Sequence, residues 1–261
     1  MPSPLTDRKN TLFIVLSGIF LTNAVVAELI GVKIFSLEGT LGLSPAQIPL
    51  LGDFVLDFNL AAGVVIWPVV FITTDIINEY YGKRGVRLIS FFTVVCISYV
   101  FVVIYVTTEL SPADFWLQVN GQDADGQPFD ISYAFNKVYL QGLGIIIGSL
   151  VAFVVGQLLD VAVFHQLRRI TGKRKIWLRA TGSTLVSQLI DSYVVLFIAF
   201  YVFGNWPLEQ VVAVGIVNYT YKFVVALLVT PLLYVAHYLI DRYLGQETAE
   251  QMMEEASQNV A

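Results

Sequence analysis

Residues 71–87, FITTDIINEYYGKRGVR, carry two carboxylates four positions apart, Asp75 and Glu79, at the end of an apolar run that begins near residue 58. An ionisable side chain at membrane depth costs about 2.5–3.5 kcal/mol even on a lenient insertion scale, so a span that retains one usually has a use for it. The spacing of three and four puts Asp75, Asn78 and Glu79 on one helical face, which cannot look at lipid. The basic segment that follows, with Lys83, Arg84 and Arg87, marks where the chain leaves the apolar phase.

The rest of the chain has the same character. Of its 261 residues 56% are hydrophobic and 13% charged, with a mean hydropathy of +0.71. Soluble domains run near about 45–50% apolar and about 25% charged. The fold class expected is an all-α membrane protein. Apolar runs long enough to cross, at about 20 residues each, fall at about 11–35, 58–81, 86–110, 138–166, 179–204 and 209–241, which predicts six transmembrane helices. Residues 1–10 then form an N-terminal segment, 11–242 a single six-helix transmembrane domain and 243–261 an acidic tail, expected to be solvated and weakly ordered. The stretch 36–58 is interrupted by Gly and Pro and carries Asp53 and Asp57, so an interfacial loop with a short helix is expected. The first apolar run lacks a small-residue cleavage site and reads as a retained helix rather than a signal peptide.

Orientation follows from the cations. Twelve of the fifteen basic residues fall before helix 1, between helices 2 and 3, between helices 4 and 5, or after helix 6. Basic residues accumulate in cytoplasmic loops, so both termini are assigned to the cytoplasm. The opposite loop, 111–136, contains Asp114, Asp123, Asp125 and Asp130 and no basic residue. Its DADG stretch lacks the terminal Glu of a calcium loop and reads as a solvated acidic segment.

Further polar residues lie inside the spans. Helix 4 carries Gln157 and Asp160 and helix 5 carries Gln188 and Asp191, each pair one helical turn apart; helix 6 carries Asn218, Tyr221 and Lys222. A carboxylate acceptor beside an amide donor suits a flat ligand rich in NH groups, such as a nucleobase. Lys222 is the natural counter-charge. In one reading these groups only pair with one another and tie helices together; in the other they converge on a polar cavity between helices, the usual place for a substrate pathway. Trp67, Phe71, Phe164, Tyr193 and Tyr221 are candidate stacking surfaces for a planar heterocycle, although each alone is more often packing. Glu79, with Lys83 and Arg84 beside it, is assigned to a gate or coupling role at the cytoplasmic end.

Other chemistry is unsupported. Cys96 is the single cysteine, which leaves no intrachain disulfide and no multi-cysteine metal site. His165 and His237 lack carboxylate or Cys partners at metal-ligand spacing and are assigned to structure. No nucleophile elbow, phosphate-binding glycine loop or HExxH motif is present. No cofactor is expected, the protein is read as a non-enzyme, and nucleic acid is not an expected partner. The Gly144 and Gly148 pair permits close helix contact within the chain or in a homodimer.

Four segments, TTDIINEYYGKRGVR, GQLLDVAVF, RATGSTLVSQLIDSYVVLF and NYTYKFVVALLVTPLLY, in this order resemble the queuosine precursor transporter family across essentially the whole membrane region. The resemblance implies import of 7-deazaguanines, preQ0 and preQ1 with queuine as a further candidate, across the bacterial inner membrane. It carries the family pattern onto Asp75, Asn78, Glu79, Tyr81 and Gly82, onto Gln157 and Asp160, onto Ser183, Thr184, Gln188 and Asp191, and onto Lys222, Thr230 and Pro231. Ala180 stands where the family often has Asn, so no binding role is given to that position. On such a ligand, Asp160 or Asp191 is expected to accept from the ring NH and exocyclic amine, with Gln157, Gln188 and Lys222 reaching the carbonyl.

Three functional classes compete. The first is a stand-alone secondary carrier, with protons as a candidate coupling ion through Asp75 or Glu79. The second is a substrate-capture subunit of an ATP-driven energy-coupling importer, disfavoured because LSGIFLTNAVVAELIG in helix 1 lacks a clean alanine repeat. The third, an intramembrane enzyme, lacks an activated nucleophile or metal.

Overall fold

The computed structural model describes residues 7–31, 33–49, 55–140, 143–171, 176–202 and 205–258, and the apolar runs within them are helical. Helix α1 (Arg8–Ile30) starts at Asp7, whose carboxylate accepts from the Lys9 N–H and so satisfies one of the donors that every helix N-terminus leaves open. Helix α3 (Trp67–Thr108) opens with Pro68 in its first turn, where no backbone donor is needed. The other long helices are α6 (Leu143–Thr171), α7 (Ile176–Leu196), which widens into a π-helical stretch at Phe197–Val202, and α8 (Leu208–Leu244).

Among the described residues four helices are long and apolar enough to cross a membrane: Arg8–Ile30, Trp67–Thr108, Leu150–Thr171 and Leu208–Leu244. The protein is therefore of the all-α membrane class. The expected second and third runs are joined in α3, and a shorter apolar stretch, Gln188–Val202, runs from α7 into the π-helical segment.

Helix α3 is not one rod. Forty-two residues of unbroken helix would extend about 63 Å, twice the roughly 30 Å of a hydrocarbon core. At Gly82 the backbone leaves helical space, with φ 67° and ψ −169°, a conformation that favours glycine. A Cβ built on Gly85 would fall 2.7 Å from Tyr81 Cβ and 3.3 Å from Ile77 Cγ2. In a straight helix residue 85 would stand about 12 Å beyond residue 77. The chain thus doubles back at Gly82, and α3 has two arms.

Between α1 and α3 the chain makes a small β region. Strand β1 (Ile34–Ser36) pairs antiparallel with β4 (Asn59–Ala61), and β2 (Ile48–Pro49) with β3 (Val55–Leu56), around the short helix α2 (Leu37–Thr40). The sequence predicts a loop with a short helix here and misses the ribbons, which run only two or three residues. Glu38 holds the region together: its carboxylate accepts from the Phe58 N–H at 2.8 Å, the Ser36 hydroxyl at 3.2 Å and the Ala46 N–H at 3.4 Å. The Phe58 amide, foremost among these donors, holds the Glu38 carboxyl below the usual carboxylate range. Asp53 lies outside the described residues. In the acidic loop between α3 and α6, α4 (Asp114–Val119) and α5 (Ile131–Tyr139) are short and bury no residue.

The core lies where α1, both arms of α3, α6 and α8 meet, around Phe20, Ile77, Tyr80, Ile97 and Phe164. Small residues set the distances: Ala24 and Ala27 of α1 are buried, and a Cβ on Gly63 would fall 2.8 Å from the Ala27 carbonyl oxygen. At the end carrying most of the basic residues, Tyr81 donates to the Lys9 carbonyl at 2.7 Å and Arg8 to the Tyr243 carbonyl at 2.9 Å, joining α1 to α3 and α8.

The C-terminal segment corrects an expectation. Residues expected to form a solvated, weakly ordered tail form helix α9 (Gln246–Gln258), whose Ala249, Met252 and Ala256 are buried against the core. Their spacing of three and four is an amphipathic stripe that the surrounding Glu and Gln residues mask in a composition reading. The carboxylates of Glu247, Glu250, Glu254 and Glu255 belong to exposed positions of that helix.

Candidate functional site

Successive turns of the first arm of α3 set Trp67, Phe71 and Asp75 four residues apart, hence in one column. Tyr221 and Lys222 of α8, with Thr230 two turns on, face that column across a groove between the two helices. Val64, Ile72, Val225, Val229 and Leu233 complete an apolar lining. Trp67 and Phe71 stack on each other at 5.5 Å between centroids and 21° between planes, forming an aromatic wall. Asp75 is 7% exposed, and Lys222 is half-buried. An acceptor carboxylate, a donor ammonium, a phenol and an aromatic wall thus share one apolar groove, an arrangement suited to a small planar ligand with polar edges.

The neighbouring threonines do not contribute. Thr73 and Thr74 are buried and donate to the carbonyls of Val69 and Val70 one turn back, at 2.6 and 2.9 Å. Thr230 donates to the Ala226 carbonyl at 2.9 Å. Pro231 follows directly and removes one ladder bond of α8 beside the groove.

Of the residues singled out from sequence, Trp67, Phe71, Asp75, Tyr221 and Lys222 come together in this groove; others stand elsewhere. Phe164 does not line it: the ring is 1% exposed in the core, edge-on to His165. Tyr193 does not line it either. Its ring fills the space left by Gly215 of α8, where a Cβ would fall 2.5 Å from the ring. Asn218 is half-buried on α8, outside the groove lining. Asn78 is fully buried, with neither end of its amide meeting a partner among the described groups; Gln188 and Ser192, one turn apart on α7, are also buried, with Gln188 Oε1 and Ser192 Oγ in the same condition. The side chains of Gln157, Asp160, Ser183, Thr184 and Asp191 lie outside those the structure describes.

Glu79 is paired differently from the sequence reading. It is 2% exposed, and the guanidinium beside it belongs to Arg168 of α6, at 3.7 Å, rather than to Lys83 or Arg84. Lys83 is half-buried and Arg84 is exposed. The reason is the turn at Gly82, which carries residues 83 and 84 around the corner while Arg168 reaches in from a neighbouring helix.

Tyr80, His237 and Asp241 form a cluster that sequence reasoning missed. Tyr80 donates to Asp241 Oδ1 at 2.6 Å and lies 3.0 Å from His237 Nδ1. A phenol has one proton and an ionised carboxylate only accepts, so His237 Nδ1–H donates to the Tyr80 oxygen and the chain runs His237 to Tyr80 to Asp241. The i, i+4 spacing of His237 and Asp241 was the available signal, and it corrects the sequence reading that gave His237 no carboxylate partner at such a spacing. Asp75 faces the groove and Tyr80 meets α8 farther along both helices, so this cluster stands beyond the groove lining, on the side of the basic end.

Comparisons with known proteins bear on what the groove serves. Residues 61–236 match the family described as "Putative vitamin uptake transporter". The chain is 31% identical over 189 residues to the "Probable queuosine precursor transporter" of Bacillus subtilis (strain 168), covering 70% of this chain and 75% of that one. It is 28% identical to the protein of the same description from Haemophilus influenzae, covering 66% of each. It is 27% identical to the "Queuosine precursor transporter" of Escherichia coli (strain K12), covering 66% of this chain and 70% of that one. No solved structure matches.

Proposed function

Because the chain belongs to this family of uptake transporters, we propose that it imports queuosine precursors, the 7-deazaguanines preQ0 and preQ1 with queuine as a further candidate, across the bacterial inner membrane as a stand-alone secondary carrier. The observation that carries this reading is the groove in which Trp67, Phe71 and Asp75 of α3 face Tyr221 and Lys222 of α8. A deazaguanine offers a flat π surface, a ring NH and an exocyclic amine side by side, and a carbonyl. The aromatic wall stacks the ring, Asp75 accepts from the two adjacent donors, and Lys222 donates to the carbonyl. Asn78, Gln157, Asp160, Gln188, Asp191 and Asn218 supply further contacts as the substrate moves inward. Six crossings follow if α1, both arms of α3, α6, α7 and α8 each span once, with the basic end in the cytoplasm.

A site built to hydrogen-bond these groups is left with unpaired buried partners by a base that lacks them. Adenine is therefore rejected. Side-by-side binding of preQ0, preQ1, queuine, guanine and adenine to the purified protein tests the reading. Deazaguanines are expected to bind and adenine not, and Asp75→Asn is expected to weaken binding about 10- to 100-fold, as loss of hydrogen bonds to a charged group does. Equal binding of adenine, or an unaffected Asp75→Asn variant, would place recognition elsewhere.

A further inference from the structure

Helix α9 lies beyond the family match, which ends at residue 236, yet it is packed into the core at the basic end. Three observations define how it is held. Its Ala256 sits on the turn of α3, where a Cβ on Gly82 would fall 3.0 Å from the Ala256 carbonyl oxygen and 3.3 Å from its Cα. Arg168, 7% exposed, donates through Nη2 to the Met253 carbonyl of α9 and through Nη1 to the Glu79 carbonyl at 3.4 Å, with the Glu79 carboxylate beside it. Met252 and Ala249 close the apolar side.

The exposed side of α9 is acidic, and residues 243–261 contain no Lys or Arg. An anionic leaflet surface attracts basic segments and repels acidic ones. The helix is therefore held by the protein, through one guanidinium and a stripe of small or flexible side chains, and gains nothing from lipid. Behind the latch stand polar groups that find no partner among the described groups: the Asn78 amide on α3 and both ring nitrogens of His165 on α6, the latter within electrostatic reach of Glu79, Arg168 and Lys83.

We infer that α9 is a detachable lid on the basic end of the bundle, latched by Arg168 to Met253 and Glu79, and that it releases when substrate passes from the groove toward that end. The inference rests on the transport reading for its trigger, and on geometry alone for the latch. A substrate leaving between α3 and α8 meets the Tyr80, His237 and Asp241 cluster and then the turn at Gly82 on which Ala256 rests. The lid must therefore move for that path to open.

The test uses the full chain in lipid vesicles with Cys96→Ala and Met252→Cys, so that the one thiol sits on the buried face of α9 and reports its release by labelling with N-ethylmaleimide. Labelling is expected to be slow at rest, to rise severalfold in saturating preQ1, and to rise severalfold without substrate in Arg168→Gln. Arg168→Lys keeps the charge but not the two-armed reach, and is expected to fall between. If the vesicles take up preQ1 but labelling is the same with and without it, the lid is not part of the cycle. If preQ1 is neither bound nor taken up, the substrate reading fails, and the latch is judged on the arginine variants, where labelling equal to the parent would overturn it.

Discussion

At Asp75 the cost of burying a carboxylate is accepted beside an aromatic wall and a lysine, and that juxtaposition gives the residue-scale predictions their direction. Lys222→Met removes the donor to the carbonyl and leaves Asp75 without its cationic companion in the groove; affinity for preQ1 is expected to fall about tenfold or more in a binding titration. The Tyr80 hydroxyl joins the buried His237 to the half-buried Asp241. Its removal in Tyr80→Phe strands Asp241 Oδ1 and His237 Nδ1, at about 1–3 kcal/mol, whereas Tyr81→Phe loses one bond to the half-buried chain start, at about 0.5–1.5 kcal/mol. Unfolding of the two variants in detergent should show the larger loss for Tyr80→Phe; equal losses would deny the cluster its buried character. The groove residues were legible in the sequence because a charge in an apolar run stands out. Phe164 and Tyr193 were not separable from Trp67 and Phe71, since hydropathy scores a ring alike whether it faces a ligand, a core or the notch of Gly215.

Helices and turns set the next scale. The turn at Gly82 combines a positive φ with backbone contact from Ala256, while Gly245, at φ 87°, has nothing within 4 Å of a built Cβ. Both Ala variants suffer the conformational strain, about 1–3 kcal/mol, but Gly82→Ala must also displace α9. It should be the less stable of the two in thermal unfolding. The β region between α1 and α3 has a pH prediction whose sign follows from Glu38. Its carboxyl is held below the usual range in the folded chain, so its contribution is present above the unfolded value and is lost as pH falls through the folded one. The protection of the Phe58 amide against hydrogen exchange, taken relative to the intrinsic rate at each pH, should fall on acidification, and Glu38→Gln should remove that pH dependence. Neither ribbon nor lid was legible beforehand: strands of two or three residues lack a countable period, and the stripe Ala249, Met252, Ala256 is too weakly apolar to stand out among four glutamates. The apolar runs themselves were plain, but the doubling back of α3 rests on one glycine's backbone.

On the scale of the whole molecule, apolar side chains such as Phe91, Tyr99, Leu228 and Tyr238 face outward while the carboxylates of Asp75 and Glu79 and the amides of Asn78 and Gln188 within the helices are turned inward, the reverse of a soluble protein. Such an inside-out arrangement needs lipid around it and a polar ligand within. Cysteines placed one at a time in the Asp123–Gly126 loop and at Arg84 of the Cys96→Ala chain are expected to label from opposite sides of the membrane, as the doubling back of α3 and the basic loops require. The central claim is that the groove between α3 and α8 carries a deazaguanine across. Uptake of radiolabelled preQ1 into vesicles containing only this purified chain, compared with Asp75→Asn, tests it most directly. The account predicts saturable uptake that excess preQ0 suppresses and adenine does not, and that Asp75→Asn loses. Uptake equal to protein-free vesicles, or undiminished in Asp75→Asn, would contradict it.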